Sequence, residues 1–246
     1  MYLHQQTLPY EKRAGATRET YRQVEKKIYD SIREGKYQRK ILYQYMLHEF
    51  QKIEKIERNV KRIGVTGEVY MKYSSLGNHG LEEYLYQNAC EPYFGGFMNY
   101  CLFVADSEKR MWLLSHQSKI VKRIFECGLH FLEKPQTEMF QFVRENSDYQ
   151  VDCTFSELKQ KIEGIVSEDC ITGDGWLIAA EAVQAIEKGC RNVLIVHPFG
   201  CLVSHVCIRG IMKNLHKKYP DIVIQTVEYD YDSSDTLRES RILLGI

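Results

Sequence analysis

The chain has 246 residues, 44% of them hydrophobic, enough for a sizeable core in one large or two small domains. Its 33 Lys and Arg balance 33 Asp and Glu, so overall charge gives no support for a nucleic-acid partner. No run approaches the ~18 apolar residues of a membrane helix, and Met1–Arg13 lacks an apolar core flanked by basic residues, so a cytoplasmic protein with no membrane partner is expected.

Charge is uneven along the chain. Residues 1–62 carry 15 Lys and Arg against 8 Asp and Glu, a pattern that suits a solvated helical face and offers a docking face as the alternative. Residues 17–57 read as helical, with Tyr21, Val24, Ile28 and Ile32, then Leu42, Met46, Phe50 and Ile53, at helical spacing. Gly35 separates the two stretches. Arg62–Gly67 is a short strand running into a glycine turn, and Gly77–Gly80 precedes a helix from Leu81. Glu91–Gly96 ends a second strand, and residues 106–132 read as a helix with Trp112, Leu113, Ile120, Ile124 and Phe131 facing inward. The stretch 133–152 is the one acceptable linker.

The second half repeats the alternation. Helices are expected over 155–165 and 176–188, a strand over 192–197, a helix over 203–218 closed by Pro220, and a strand over 222–228. An acidic loop, Tyr229 to Ser234, precedes a last helix at 235–244. Short apolar strands alternating with helices predict an α/β fold with a flavodoxin- or Rossmann-like parallel sheet and right-handed crossovers. The predicted organisation is a helical segment over 1–60 and an α/β domain over 61–246, with a possible inner boundary near 133–152.

Several chemistries are absent by motif. There is no G-x-x-x-x-G-K-[ST], G-x-G-x-x-G, H-E-x-x-H or G-x-S-x-G, which argues against Walker-type ATPases, zincins and α/β-hydrolases. The eight cysteines are scattered with no C-x-x-C, and a cytosolic chain is expected to keep them reduced. Most read as small buried hydrophobes. Cys201 differs: it follows the strand 192–197 through the turn His197-Pro198-Phe199-Gly200 and precedes a helix. Ligands of open parallel sheets bind at that place, and a helix amino terminus favours a thiolate there.

Three loops follow candidate strands: 67–80, 91–101 and 197–205. If they share one sheet edge, Glu68, Tyr70, Asn78, His79, Cys90, Cys101, His197, Cys201 and His205 come within reach of one another. Thiolates and imidazoles hold iron–sulfur clusters or zinc. Cys201, Cys90 and Cys101 are the expected metal ligands, and Glu68, Asn78, His79 and His205 the expected cofactor contacts. The acidic loop Glu228 to Asp232 is expected at the rim of the same cleft.

Gly173-Asp-Gly-Trp-Leu177, His197-Pro-Phe-Gly-Cys-Leu-Val-Ser-His205, Glu228-Tyr-Asp-Tyr-Asp232 and Arg241-Ile-Leu-Leu244 resemble the carboxyl-terminal part of proteins related to 2-hydroxyacyl-CoA dehydratases and CoA-enzyme activases. Gly67-Glu-Val-Tyr-Met-Lys-Tyr73, with Gly77-Asn-His79, is similar to the same family's G-E-[IV]-Y-x-[RK]-Y strand and loop. The resemblance implies a flavodoxin-like fold, an oxygen-sensitive iron–sulfur cluster of the 4Fe-4S type, and low-potential electron transfer. It makes Cys201 a cluster ligand. The longer relatives carry an ATPase activator and a further α/β domain, so a partner subunit supplying these is expected. The other readings are a non-catalytic structural or interaction module that has lost the cluster, and a small-molecule-binding domain of flavodoxin type.

Overall fold

The computed structural model describes residues 1–115, 118–230 and 234–246, the side chains of Leu202 and Val203 excepted. The chain divides into two compact units: residues 1–60 with 138–151, and residues 61–137 with 152–246. The helical amino-terminal segment thus gathers a second piece of chain.

The first unit holds α1 (Tyr2–Gln5), a 3-10 turn at Leu8–Tyr10, α2 (Ala16–Arg33) and α3 (Arg39–Gln51). Glu11 starts α2: its carboxylate accepts the backbone N–H groups of Gly15 and Thr17, both at 2.7 Å, two donors that an open helix end leaves without partners. Val24, Leu42, Leu47, Phe50, Phe140 and Val143 are buried here. Tyr21 and Ile32, which fall at helical spacing with the buried Val24, are exposed.

The second unit carries β1 (Lys61–Gly67), α4 (Val69–Tyr73), α5 (Leu81–Gln87), β2 (Cys90–Phe94) and α6 (Phe97–Ser115), then α7 (Lys119–Asn146) as far as Thr137. It continues with α8 (Phe155–Gln160), α9 (Gly175–Glu187), β3 (Asn192–Pro198), α10 (Leu202–Lys218), β4 (Val223–Tyr229) and α11 (Asp235–Leu244). The four strands form one sheet in the order β2-β1-β3-β4, every pair parallel. This is the α/β fold that the alternation of strands and helices predicts.

Burial shows why the strands are apolar throughout. Val193 and Ile195 join a core with Trp176, Leu177, Val183, Ile208 and Leu215. Leu194 and Val196 join a second core with Ile63, Leu85, Val227 and Ile242. Alternate side chains of β3 therefore serve opposite faces, each covered by helices.

Four expectations change. Val69–Tyr73 is helical, where the resemblance implies strand and loop, because Gly67 leaves the strand at φ +133° and Glu68 caps the next turn through the Met71 N–H. A Cβ at Gly67 would lie 2.0 Å from the Val196 carbonyl oxygen, so only glycine passes there. The helix expected from 106 begins at Phe97, and α7 reaches Asn146, which makes most of the expected linker helical; residues 116 and 117, inside the predicted helix, lie outside the described residues. Ile120, Ile124 and Phe131 are 74%, 64% and 76% exposed, not inward-facing. Helical spacing identifies an apolar stripe, and whether anything covers it depends on the rest of the fold.

Candidate functional site

In a parallel sheet every strand ends on the same edge, and the segments leaving β1, β3 and β4 meet there. Glu68 follows β1, Cys201 follows β3, and Glu228 and Tyr229 end β4. The edge is tied together by backbone bonds: the Glu68 N–H donates to Val196 O at 2.9 Å, and the Phe199 N–H to Tyr229 O at 2.8 Å.

One cluster stands where β3 and β4 end. His197 is the register partner of Glu228. It is in phase with Val193 and Ile195, so its ring falls on the side covered by α9 and α10. The first turn of α10 brings His205 onto the same spot. The two imidazole centroids are 4.6 Å apart, and His205 Nε2 is 3.2 Å from Glu228 Oε1. His197 is buried, while His205 and Glu228 are 32% and 24% exposed. Burial, followed by the charges of His205 and Arg241, holds His197 below the usual imidazole range, so the ring is neutral near pH 7. The group borders a cavity of about 440 Å³ that also contacts Arg209, Met212 and Thr226.

A second cluster stands where β1 ends. Lys72 and Glu181 are 2% and 3% exposed, and Lys72 Nζ reaches both carboxylate oxygens at 2.6 and 2.7 Å. The Thr66 hydroxyl donates to Glu181 at 2.9 Å. Gly95 passes close by: a Cβ there would sit 2.8 Å from Glu181 Oε1. Asp174 lies beside this pair with its carboxyl raised to about 7, by burial first and then by Glu68 and Glu181.

Comparison with protein-family models, with curated proteins and with solved structures finds no match.

The predicted site residues fall into three groups. Cys201 and His205 share the carboxyl edge. Cys201 stands just before α10 and its S–H donates to Ser204 Oγ at 3.0 Å. Glu68, Asn78 and His79 also lie beside this edge, Asn78 buried and His79 exposed. Glu68 is the cap of α4. The Asn78 amide donates to Met71 O and Lys72 O and accepts the N–H groups of Gly80 and Leu81, which closes the loop and leaves it no role as a cofactor contact. His79 adopts φ 53° and stacks on Tyr229 at 6.2 Å.

Cys90 is a correction. It is the first residue of β2, pairs with Lys61, and is buried. Lys61 stands six residues before Gly67, so at ~3.3 Å per residue Cys90 is roughly 20 Å from the edge that holds Cys201. Burial pushes its thiol up. Cys101, in α6, is half-buried and follows β2 on the carboxyl side, with β1 between β2 and the strand that leads to Cys201. The three cysteines do not form one ligand set.

Other residues went unnoticed in the sequence. Cys170 and Cys207 bring their sulfurs to 3.3 Å, and the Cys207 thiol is pushed up to about 12 by burial and then by Cys170, with Cys201 adding to it. Their separation in sequence carries no motif. Glu228, expected at the rim, lines the cavity with His197. Its pairing with His197 rests on the register of β3 and β4, which the sequence does not show. Asp232, in the acidic loop, lies outside the described residues. Among the described residues no helix is long and apolar enough to cross a membrane.

Proposed function

We propose that this chain is an iron–sulfur redox component of the 2-hydroxyacyl-CoA dehydratase type, contributing Cys201 as a ligand on the carboxyl edge of its sheet. The observation that carries the reading is the position of Cys201: half-buried, between a parallel strand and a 17-residue helix, on the edge where such sheets bind ligands. Its motif, Pro198-Phe-Gly-Cys201, is specific to the resemblance only in combination with Gly67-Glu-Val-Tyr70. Cys170 and Cys207 lie alongside the same helix and keep the neighbourhood rich in sulfur.

A cluster of the 4Fe-4S type takes four thiolates. The chain's own donors fit one such ligand and not the set, since Cys90 stands on the far edge. The remaining ligands therefore come from a partner subunit, which also supplies the ATPase-driven electron input. When bound, the cluster provides one-electron chemistry. This chain's residues present the thiol and set the edge on which the partner docks.

Anaerobic reconstitution with iron and sulfide tests the reading, on the chain alone and with the partner encoded beside it. The complex is expected to hold iron and sulfide, and Cys201→Ser to lose most of both while the far-UV spectrum is unchanged. Equal iron in wild type and Cys201→Ser would sink it.

A further inference from the structure

We propose that His197, His205 and Glu228 together hold one divalent metal ion of the zinc class, with a fourth coordination position open to the adjoining cavity. The ligand atoms of the three residues lie within 4.8 Å of one another, and no other such group of three occurs among the described residues. His205 Nε2 and Glu228 Oε1 are 3.2 Å apart. Two ligands on one tetrahedral zinc, at about 2.0–2.1 Å each, stand about 3.3 Å apart. The pair already has the spacing of one edge of that tetrahedron.

The hydrogen bonds choose the nitrogen atoms. His205 Nδ1 is 3.0 Å from Cys201 O, and His197 Nδ1 is 3.2 Å from Pro198 O. A carbonyl oxygen only accepts, so Nδ1 carries the hydrogen in both rings and the lone pair of each neutral ring is on Nε2. Metal-binding histidines are oriented in this way, by donating the other ring N–H to a backbone carbonyl. A neutral His205 would set its lone pair against a carboxylate oxygen that also only accepts, a contact that a metal ion or a proton on Nε2 bridges.

The donor types narrow the ion. Two imidazoles and one carboxylate suit zinc and its neighbours, whereas magnesium and calcium prefer oxygen alone. Three protein ligands leave a position for water or a small anion, as in hydrolytic zinc sites. The cavity of about 440 Å³ lies against that position, with Thr226 and Arg209 on its wall. Arg241 Nη1 lies 3.9 Å from Glu228 Oε2, the other carboxylate oxygen. The Cys201 sulfur is bonded to Ser204 and is not in the group, so this ion and a cluster at Cys201 are separate sites.

Calorimetric titration of the metal-stripped full chain with zinc chloride tests the proposal, with cobalt as a coloured substitute. One zinc per chain is expected, and a cobalt spectrum of tetrahedral type without sulfur-to-metal charge transfer. Glu228→Gln, at a half-exposed residue, and His205→Ala should each weaken zinc at least roughly tenfold, as removal of a supporting group alone commonly does. Their far-UV spectra should match wild type. Cys201→Ser and the double variant Cys170→Ser/Cys207→Ser should bind zinc as wild type does. The proposal is overturned if wild type takes up no stoichiometric zinc, as a simple His205–Glu228 ion pair would give. It is equally overturned if Glu228→Gln keeps full affinity, or if only the cysteine variants lose it. Since Cys201→Ser reports on the cluster and His205→Ala on zinc, either site can fail without the other.

Discussion

Two ionic clusters stand on the same edge of the same sheet, and they differ in how far they satisfy themselves. At the end of β1, Lys72 gives both oxygens of Glu181 a donor and Thr66 gives one of them a second. The pair is almost fully buried. At the end of β3 and β4, three groups that can each offer a lone pair converge, with Nδ1 of both rings already used. Closed ionic networks hold a fold in register. Lone pairs that face one another are bridged by a proton or a metal ion, and Arg241 at 3.9 Å offers Glu228 only a long ion pair. Burial alone does not separate the two: the more deeply buried cluster is the one that needs nothing further.

The largest effect should come from opening the closed cluster. Lys72→Met leaves Glu181 buried without its cation and is expected to cost about 3–5 kcal/mol in urea unfolding. Adding Glu181→Leu should restore much of that loss, since an apolar pair can replace a buried ion pair. A single variant as stable as wild type would show that the pair is not electrostatically closed.

Asp174 probes the same cluster by pH. Its carboxyl is raised to about 7 in the folded chain, against about 3.8 as the ordinary value. Between these limits the folded state binds more protons than the unfolded one, so the Asp174 contribution to stability is fully present below about pH 4 and is lost as pH rises through about 7. Asp174→Asn should remove that fall and raise stability at pH 8 by about 2–4 kcal/mol, the upper end being the whole shift. Parallel pH curves for the two proteins would refute it.

The open cluster should respond to metal instead. Zinc at about 100 times its dissociation constant is expected to stabilise wild type by about 2.7 kcal/mol and to leave Glu228→Gln much less affected. The smallest effect is the same substitution without metal. A half-exposed ion pair contributes little, so Glu228→Gln in chelator should change the unfolding free energy by less than about 1 kcal/mol. A loss as large as that of Lys72→Met would place Glu228 in a closed network and erase the contrast.

Part of the candidate site was legible beforehand. Pro198 and Gly200 mark the end of β3, and helical spacing starts α10 directly after Cys201, so the thiol's place at the strand end followed from local signals. His205 came with it, four residues on. Glu228 was read as part of an acidic loop at the rim because its strand partner was unknown. Cys90 was grouped with the edge residues because the start of β2 was not resolved from its end. Asn78 looked like a ligand and is a turn former, since a short amide that bonds its own backbone has the same sequence appearance either way.

By itself the sequence determined the alternation of strands and helices, the parallel sheet, and the turns at Gly67 and Gly200. These rest on periods of two and 3.6 residues and on glycine's freedom at positive φ, which a chain expresses within a few residues. Only the tertiary structure decided that His197 pairs with Glu228, that Cys90 lies on the far edge, that Lys72 and Glu181 meet, and that Ile120, Ile124 and Phe131 remain exposed. Strand order, register and helix cover arise from contacts between residues far apart in the chain, and no local period encodes them.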